Sequence, residues 1–204
     1  MKRVCFVTTS PLIVNFFLVP HLLKLREKYL VSLIVNTTEE VVLKPLPGIE
    51  VIPVRIVRKI SPLRDLCTLW RLRRLFSVRR FDLVHSFSPK AGLLAMLAGF
   101  LARVPVRVHT FTGQVWVTRH GVMRIILRLA DKAIAGLATH VLTDSASQME
   151  FLVGQGIVPR AKCRVLGKGS VSGVNLDKFK PDSVARGEWR DKLGIKESAR
   201  VVLF

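Results

Sequence analysis

Short apolar runs alternate with helical patterns along most of this 204-residue chain, and this alternation constrains the fold more than any other feature. The runs have the length of β-strands and lack a polar face. Between most of them, apolar residues recur every three or four positions, as they do on one side of a helix. A strand without a polar face is buried on both sides. The pattern therefore predicts an α/β fold, namely a Rossmann-like, doubly wound, mostly parallel sheet with helices on both faces.

The apolar runs and periodic segments give predicted bounds for each element. Strands are predicted at 3–8, 31–35, 51–54, 81–85, 106–111, 140–143 and 164–166. Helices are predicted at 11–29, 61–80, 90–103, 121–138 and 145–153, with a short amphipathic stretch at 188–193. Ser61-Pro62 is typical of a helix start, because serine caps a helix and proline suits its first position.

Two domains are predicted, one of them incomplete. Residues 1–181 form a single Rossmann-like domain that ends in an aperiodic loop over 167–181. Residues 182–204 are predicted to be a linker followed by the first strand of a second domain, because four apolar residues at 201–204 follow a turn. We expect the chain to be the front portion of a larger protein.

The net charge indicates an anionic partner. Lys and Arg number 33 against 14 Asp and Glu, which gives a formal charge of +19. Nucleic acid, phosphate groups and an acidic membrane surface all fit this excess. Aromatic residues make up only 7% of the chain, which is few for stacking bases, so nucleic acid is the distant alternative.

The predicted helix at 61–80 combines an apolar stripe with many arginines. It fits an anionic membrane surface, and it fits equally well a helix that covers the sheet and turns its arginines to solvent. The candidate membrane-contact residues are Arg64, Trp70, Arg71, Arg74 and Arg79.

Several kinds of chemistry lack their sequence signatures. The turn after the first strand, Thr9-Ser10-Pro11, has no glycine and so lacks the dinucleotide-binding fingerprint. Gly169 stands where a P-loop needs serine or threonine. The three cysteines are widely spaced and indicate neither a disulfide framework nor a zinc site. The longest apolar stretch, 91–102, is far below the roughly 20 residues that span a bilayer.

Ligands of doubly wound sheets bind beyond the carboxyl ends of the strands. Five turns predicted there are rich in hydroxyl, amide and imidazole groups, and we expect each to precede a helix whose first N–H groups could hold a phosphate. These turns lie at 8–11, 36–39, 85–90, 109–113 and 143–145.

Three side chains in these turns are candidates for ligand contact. His85 and His109 stand near strand ends, where an imidazole can donate to a sugar hydroxyl or a phosphate, although a buried core histidine explains either one. His109 is favoured because a loop of small residues follows it. Lys90 could anchor a phosphate at a helix start, and a solvated lysine explains it as well.

Four stretches carry a resemblance to a known family. They read FDLVHSFSPKAGLLA at 81–95, RVPVRVHTFTG at 103–113, VTTSP at 7–11 and GSVSGVNLDKFKP at 169–181. Together they resemble the bacterial family 4 glycosyltransferases that build surface polysaccharides such as O-antigen and capsule. The resemblance implies the N-terminal, acceptor-side half of a GT-B fold. It also implies a retaining enzyme that moves a sugar from a nucleotide sugar to a lipid-linked or glycan acceptor, without a cofactor or a bound metal.

The same resemblance implies roles for individual residues. His109 would hydrogen-bond the transferring sugar, and Thr9 and Ser10 would line the cleft near the donor diphosphate. Ser88 and Lys90 would lie on the acceptor side. The predicted substrate-binding residues are Thr9, Ser10, Asn15, His85, Ser88, Lys90, Thr112 and Gly113.

The resemblance and the charge together imply partners and a location. We expect a peripheral protein on the cytoplasmic face of the inner membrane, with an anionic lipid-linked acceptor, a nucleotide-sugar donor and no nucleic acid. A C-terminal donor-binding domain would complete the enzyme, so the isolated chain is expected to be inactive. The competing interpretations are a basic nucleic-acid-binding module and a scaffold domain without catalysis.

Overall fold

The computed structural model describes residues 1–37, 41–57, 60–177 and 179–202. Their contacts divide the chain into two compact units, Met1–Ser172 and Gly173–Phe204. The first unit contains one parallel sheet with the strand order β3-β2-β1-β4-β5-β6-β7. Its strands are β1 (Arg3–Thr8), β2 (Leu30–Val35), β3 (Glu50–Pro53), β4 (Leu83–Phe87), β5 (Val106–Phe111), β6 (His140–Thr143) and β7 (Cys163–Val165). This order confirms the predicted α/β, Rossmann-like class and places its topological switch point between β1 and β4.

Helices connect most of these strands. In the first unit they are α1 (Pro11–Ile13), α2 (Val19–Leu25), α3 (Pro62–Arg79), α4 (Pro89–Leu101), α5 (Gly121–Leu137) and α6 (Ala146–Gly154). A π-helical stretch, Val14–Leu18, joins α1 to α2, and 3-10 turns cover Val115–Thr118 and Arg160–Lys162. Among the residues described, no helix is both long and apolar enough to traverse a bilayer.

The core has one apolar layer on each face of the sheet. Because side chains alternate along a strand, β1 sends Cys5 and Val7 to one layer and Val4 and Phe6 to the other. The first layer takes its helical residues from α3, α4, α5 and α6, including Leu72, Phe76, Ala95, Ile134 and Leu152. The second takes Val14, Leu18 and Leu22 from the segment that follows β1. The prediction of helices on both faces is confirmed.

The predicted helix at 11–29 is interrupted and ends early. The Val19 N–H donates to the Val14 carbonyl, five residues back, which widens the helix into a π turn. Pro20, which follows, has no N–H to continue the regular ladder. The helix resumes as α2 and ends at Leu25 rather than at Tyr29.

Other predictions also differ from the structure at element boundaries. The strand predicted at 81–85 is β4, which begins and ends two residues later. The expectation that every strand-end turn precedes a helix is wrong at β2, because the described part of the connection to β3 contains no helix. Thr38 and Glu39 of that turn lie outside the described residues. Ser61 occupies the N-cap position of α3 without a side-chain capping bond, and its N–H instead donates to Asp65 Oδ2 at 3.1 Å. Pro62 begins α3 as predicted.

The second unit contains α7 (Ser183–Lys192). Asp182 caps this helix, since its Oδ1 accepts a hydrogen bond from the Ala185 N–H at 2.9 Å. The buried Arg190 guanidinium donates to the carbonyls of Lys196, Glu197 and Ala199 and so closes the turn after α7. Val201 and Val202 are exposed and lie in no strand, while residues 203 and 204 lie outside the described ranges. The predicted linker and first strand over 182–204 stay a prediction.

Candidate functional site

Two predicted site residues meet at the switch point of the sheet. Thr9 directly follows β1 and Ser88 directly follows β4, and their hydroxyl oxygens lie 3.2 Å apart. Ser88 has φ 68° and ψ 147°, a left-handed conformation that non-glycine residues rarely adopt. Backbone strain of this kind concentrates at functional sites, where the surrounding structure enforces it. The strained turn sets the first N–H groups of α4 beside the paired hydroxyls.

Ser10 and Asn15 shape the turn after β1. Ser10 is fully buried, and its Oγ accepts a hydrogen bond from the Leu12 N–H at 3.3 Å, which caps α1. The Asn15 amide donates to the Val42 carbonyl and accepts from the Lys44 N–H, both at 2.8 Å. Both polar atoms of the Asn15 side chain therefore hold the segment that follows β2.

Lys90, in the first turn of α4, is held by an ion pair. Its Nζ lies 2.8 Å from Asp65 Oδ1, and both side chains are largely buried, at 16% and 23% exposure. The pair ties the start of α4 to the first turn of α3. A phosphate at this helix start would meet an ammonium group that is already paired with a carboxylate.

His109 points into the core beneath α4. Its ring is only 1% exposed, its Nδ1 lies 2.8 Å from Ser86 Oγ, and Phe111 packs edge-on against it. Gly92 of α4 leaves the room for this ring, because a Cβ at that position would lie 2.4 Å from the His109 Cε1. Burial, helped by His85, lowers the pKa of His109 to about 3, so its imidazole is neutral at physiological pH.

His85 lies on the opposite face of the sheet. Its Nε2 is 2.8 Å from Thr110 Oγ1, and its ring packs against Phe6 and Phe87. Burial, with a smaller contribution from His21, lowers the pKa of His85 to about 3. This ring forms part of a cavity wall, and the predicted ligand contact of His85 stays a prediction.

Two cavities open along the carboxyl side of β4, β5 and β6. One encloses about 290 Å³ and the other about 450 Å³. The first is lined mainly by apolar residues of the sheet and α2, together with His21, His85 and Thr110. The second is lined by Ile13, Phe17, Phe87, Thr112, Asp144, Ser170 and Val171. Four of these residues line both cavities, so the two spaces are neighbours: Phe87, Asp144, Ser170 and Val171.

Of the four residues that line both cavities, Asp144 is the one with an ionisable side chain. Its Oδ1 is buried and has no hydrogen-bond partner within the described part of the chain. Burial raises the pKa of the Asp144 carboxyl above its ordinary value. Since buried acceptors are almost always paired, an unpaired carboxylate oxygen between two cavities is suited to accept a hydrogen bond from a ligand hydroxyl.

The loop after β7 folds over this rim. The Ser170 N–H donates to the Asp144 carbonyl at 2.5 Å, and His21 Nε2 donates to the Val171 carbonyl at 2.7 Å. Gly169 permits this approach, because it has φ 102° and a Cβ there would lie 2.3 Å from the Asp144 carbonyl oxygen. The loop thus closes one side of both cavities.

The structure separates the predicted site residues into groups. Thr9 and Ser88 touch, Thr112 and His85 line cavities, and Gly113 extends the exposed loop after Thr112. Asp144, Ser170, Phe17 and His21 also line the rim but were not among the predicted site residues. The signal for Asp144 was its place in the polar turn after β6. Nothing local in the sequence indicates that a helical histidine such as His21 meets the loop at Val171.

The candidate membrane residues of α3 have mixed surroundings. Arg71 donates to the Pro53 carbonyl at 3.0 Å, and Arg79 pairs with Glu50 at 2.8 Å. Trp70 is 55% exposed, with the Arg73 guanidinium 5.0 Å from its ring centre. The side chains of Arg64 and Arg74 are exposed.

Within the described residues, no three His, Cys, Asp and Glu side chains gather into a group that could hold a metal ion. Cys5 and Cys163 are buried and Cys67 is exposed, all three as free thiols. Transfer without a metal or cofactor stays a prediction.

Comparison with known proteins decides the family. The family model for a glycosyl transferase 4-like domain matches residues 31–169, which is more than half of the chain. The chain belongs to the glycosyl transferase 4-like domain family. This membership confirms the family resemblance and marks the chain as a glycosyltransferase-like domain.

Two curated relatives of this domain are bacterial glycosyltransferases. The chain is 32% identical over 133 residues to the capsular polysaccharide biosynthesis glycosyltransferase CapM of Staphylococcus aureus, covering 65% of this chain and 34% of CapM. It is 28% identical over 148 residues to an Escherichia coli UDP-Gal:α-D-GlcNAc-diphosphoundecaprenol α-1,3-galactosyltransferase, covering 72% of this chain and 37% of that enzyme. The chain thus spans about a third of the length of these relatives.

Solved structures share the fold of the glycosyltransferase-like domain. Anabaena HepE in complex with UDP and glucose matches 95% of this chain and 50% of its own, with a TM-score of 0.69 and 14% identity. The sucrose-phosphate synthase of Thermosynechococcus elongatus matches 97% of this chain and 54% of its own, with a TM-score of 0.64 and 15% identity. At such identities the likeness concerns the fold alone.

Proposed function

We propose that this domain is the acceptor-binding half of a retaining glycosyltransferase that moves a sugar from a nucleotide sugar to a lipid-diphosphate-linked or glycan acceptor. One observation carries the proposal: the Thr9 and Ser88 hydroxyls meet at the switch point, beside the start of α4. Hydroxyl and N–H donors at a helix start suit the oxygens of a diphosphate. Family membership favours this enzyme over the nucleic-acid module and the scaffold.

Each side chain of the rim has a role in the proposal. Ser88 donates to a diphosphate oxygen of the acceptor. Thr9, which was expected near the donor diphosphate, is assigned to the acceptor diphosphate as well, because its hydroxyl oxygen lies 3.2 Å from that of Ser88. The Lys90–Asp65 pair holds the start of α4 in place. Asp144 accepts a hydrogen bond from a sugar hydroxyl through its unpaired Oδ1. His109, 1% exposed, acts as a positioning residue through Ser86 in this conformation, and its predicted contact with the transferring sugar stays a prediction.

The donor is a nucleotide sugar held by a second domain. Two observations support this part of the proposal: the chain matches 34% and 37% of its curated relatives, and it matches half of a chain solved with UDP and glucose. We expect the 204-residue chain alone to bind acceptor without transferring sugar. Surface-polysaccharide synthesis at the cytoplasmic face of the inner membrane is the proposed setting, because one relative is named for a diphosphoundecaprenol-linked substrate.

The test measures the affinity of the chain for farnesyl-diphosphate-linked N-acetylglucosamine, a water-soluble acceptor of the proposed class. Thr9→Val and Ser88→Ala each remove one hydroxyl, and we expect each to weaken binding by roughly tenfold or more, since a hydrogen bond to a charged group contributes about 1.5–3 kcal/mol. Ser77→Ala, at an exposed hydroxyl near the end of α3, is the matched control and leaves the affinity unchanged. Equal affinities of the native chain and the three variants, each shown to be folded by circular dichroism, would refute the proposal.

A further inference from the structure

The helix α5 presents its apolar side chains to solvent. Val122, Ile125, Ile126 and Leu129 follow the spacing i, i+3, i+4, i+7, which places them on one side of a helix. Their exposures are 71%, 59%, 47% and 60%. We call these four residues the outer face of α5. A helix that packs on a sheet normally has one apolar side, which faces the core, whereas α5 carries this exposed stripe in addition to its core residues.

The opposite side of α5 packs against the core through Leu127, Ile134 and Ala135, and two polar contacts also hold the helix. The Trp116 Nε1 donates to Asp131 Oδ2 at 2.8 Å, and Asp131 is 3% exposed. The Arg128 guanidinium donates to the Gln155 carbonyl at 2.6 Å and lies 5.9 Å from the ring centre of Trp116. These bonds fix the rotation of the helix. Because the rotation of the helix is fixed, the outer face stays exposed. A contiguous exposed apolar stripe indicates an interaction surface.

The charges around the outer face select the kind of partner. Arg119 and Lys132 are exposed beside it, whereas the exposed Arg124, seven residues before Asp131, lies on the other side of the helix. Between residues 115 and 137 the only acidic residue in the sequence is Asp131, which is buried against Trp116. An apolar stripe flanked by cations complements a bilayer with anionic headgroups, where the stripe enters the acyl boundary and the cations meet the phosphates. The formal charge of +19 acts in the same direction.

The position of α5 links this surface to the candidate site. Thr112 lines the larger cavity, and the short segment after it leads through Val115–Thr118 into the start of α5. Val115 and Val117 in that segment are 46% and 47% exposed and continue the apolar surface toward the rim. A bilayer on the outer face would therefore lie beside the carboxyl ends of β4 and β5.

We propose that the outer face of α5 docks the domain on an anionic bilayer and thereby brings the carboxyl rim of the sheet to lipid-linked acceptor. The inference rests on the proposed function, which requires access to such an acceptor, and it adds the surface that meets the membrane. It assigns the docking to α5 rather than to α3, where Arg71 and Arg79 already have protein partners.

The test is co-sedimentation of the chain with vesicles. Vesicles of phosphatidylcholine with about a third phosphatidylglycerol bind the chain, vesicles of phosphatidylcholine alone bind it far less, and added salt weakens the binding. Ile125→Gln with Leu129→Gln weakens binding to the anionic vesicles by roughly tenfold or more, because two apolar side chains no longer enter the bilayer. Leu63→Gln with Leu66→Gln on α3, at 81% and 52% exposure, is the matched control and leaves binding unchanged.

Each outcome separates this inference from the proposed function. The α5 variant keeps its affinity for the soluble farnesyl-diphosphate sugar if α5 serves only to dock on lipid. Vesicle binding without affinity for that sugar would refute the proposed function and leave the docking surface standing. Loss of binding through the α3 variant, or equal vesicle binding by the α5 variant, would overturn the docking surface. Sedimentation showing that the α5 variant abolishes self-association instead of vesicle binding would assign the outer face to a second copy, and would overturn it too.

Discussion

His109 and Gly92 depend on each other. The His109 ring occupies the space that the missing side chain of Gly92 leaves in α4, and Ser86 fixes the ring through Nδ1. Glycine in a helix interior costs about 0.5–1 kcal/mol relative to alanine. The fit of the ring beneath α4 offsets this cost, and it holds the start of α4 against the strand that ends beside Ser88.

We expect Gly92→Ala to destabilise the chain by about 1–3 kcal/mol, because its Cβ would overlap the His109 ring. Urea unfolding measures the change. Gly136→Ala, in α5, is the control: nothing lies within 4 Å of a Cβ at that position, so alanine there is neutral or stabilising. In a His109→Ala background the cost of Gly92→Ala should largely disappear, which a double-mutant cycle detects. Equal stabilities of the two glycine variants would contradict this packing account.

Sequence reasoning at the residue scale found the hydroxyl turns but not their geometry. The pairing of Thr9 with Ser88 follows from topology, because the carboxyl ends of β1 and β4 meet in a doubly wound sheet. The positive φ of Ser88 could not be predicted from the sequence. Glycine or asparagine would indicate a left-handed backbone at this position, and serine does not. The burial of His109 likewise depends on Gly92, a glycine in a helix that no local pattern connects to a histidine on β5.

At the scale of elements, α5 differs most from its expected behaviour. Its periodicity predicted the helix bounds within one residue, 121–138 against Gly121–Leu137. The same periodicity would place the exposed stripe in the core, whereas Asp131, bonded to Trp116, lies on the inward side together with Ile134 and Ala135. Period alone fixes the spacing of a stripe, and only tertiary partners decide which way it faces.

Asp131 gives α5 a pH dependence that can be measured. Burial raises the pKa of Asp131 from 3.8 to about 6, against the opposing effect of the Trp116 hydrogen bond. The folded chain therefore binds more protons than the unfolded chain between pH 4 and pH 6, and its stability falls as pH rises through this window.

We expect Asp131→Asn to remove this dependence while the side-chain oxygen still accepts from Trp116. The free energy of unfolding of the variant, relative to that of the native chain, should rise by about 2 kcal/mol from pH 4 to pH 7. Urea unfolding at several pH values, followed by circular dichroism, provides the measurement. A difference between the two proteins that is constant over this range would contradict the burial of the charge.

At the scale of the whole molecule, alternating apolar runs were enough to predict the parallel sheet and its class. The strand order then followed as that of a doubly wound sheet, with polar turns gathered at one edge. The loop that closes this edge could not be predicted, because Gly169 and Ser170 reach Asp144 through long-range backbone contacts that no periodicity records. The net charge indicated an anionic partner without indicating the surface that meets it, since charge counts carry no position.

The central claim is that the carboxyl edge of the sheet binds a diphosphate-linked sugar, and NMR tests it most directly. The ¹⁵N-labelled chain is titrated with farnesyl-diphosphate-linked N-acetylglucosamine, and amide shifts are mapped on the structure. The account predicts shifts that saturate at Thr9, Ser88, Thr112 and Asp144, with little change at the opposite edge, where Arg3, Tyr29 and Glu50 line a separate cavity. Shifts confined to that opposite edge, or none at the four rim residues at saturating ligand, would contradict it.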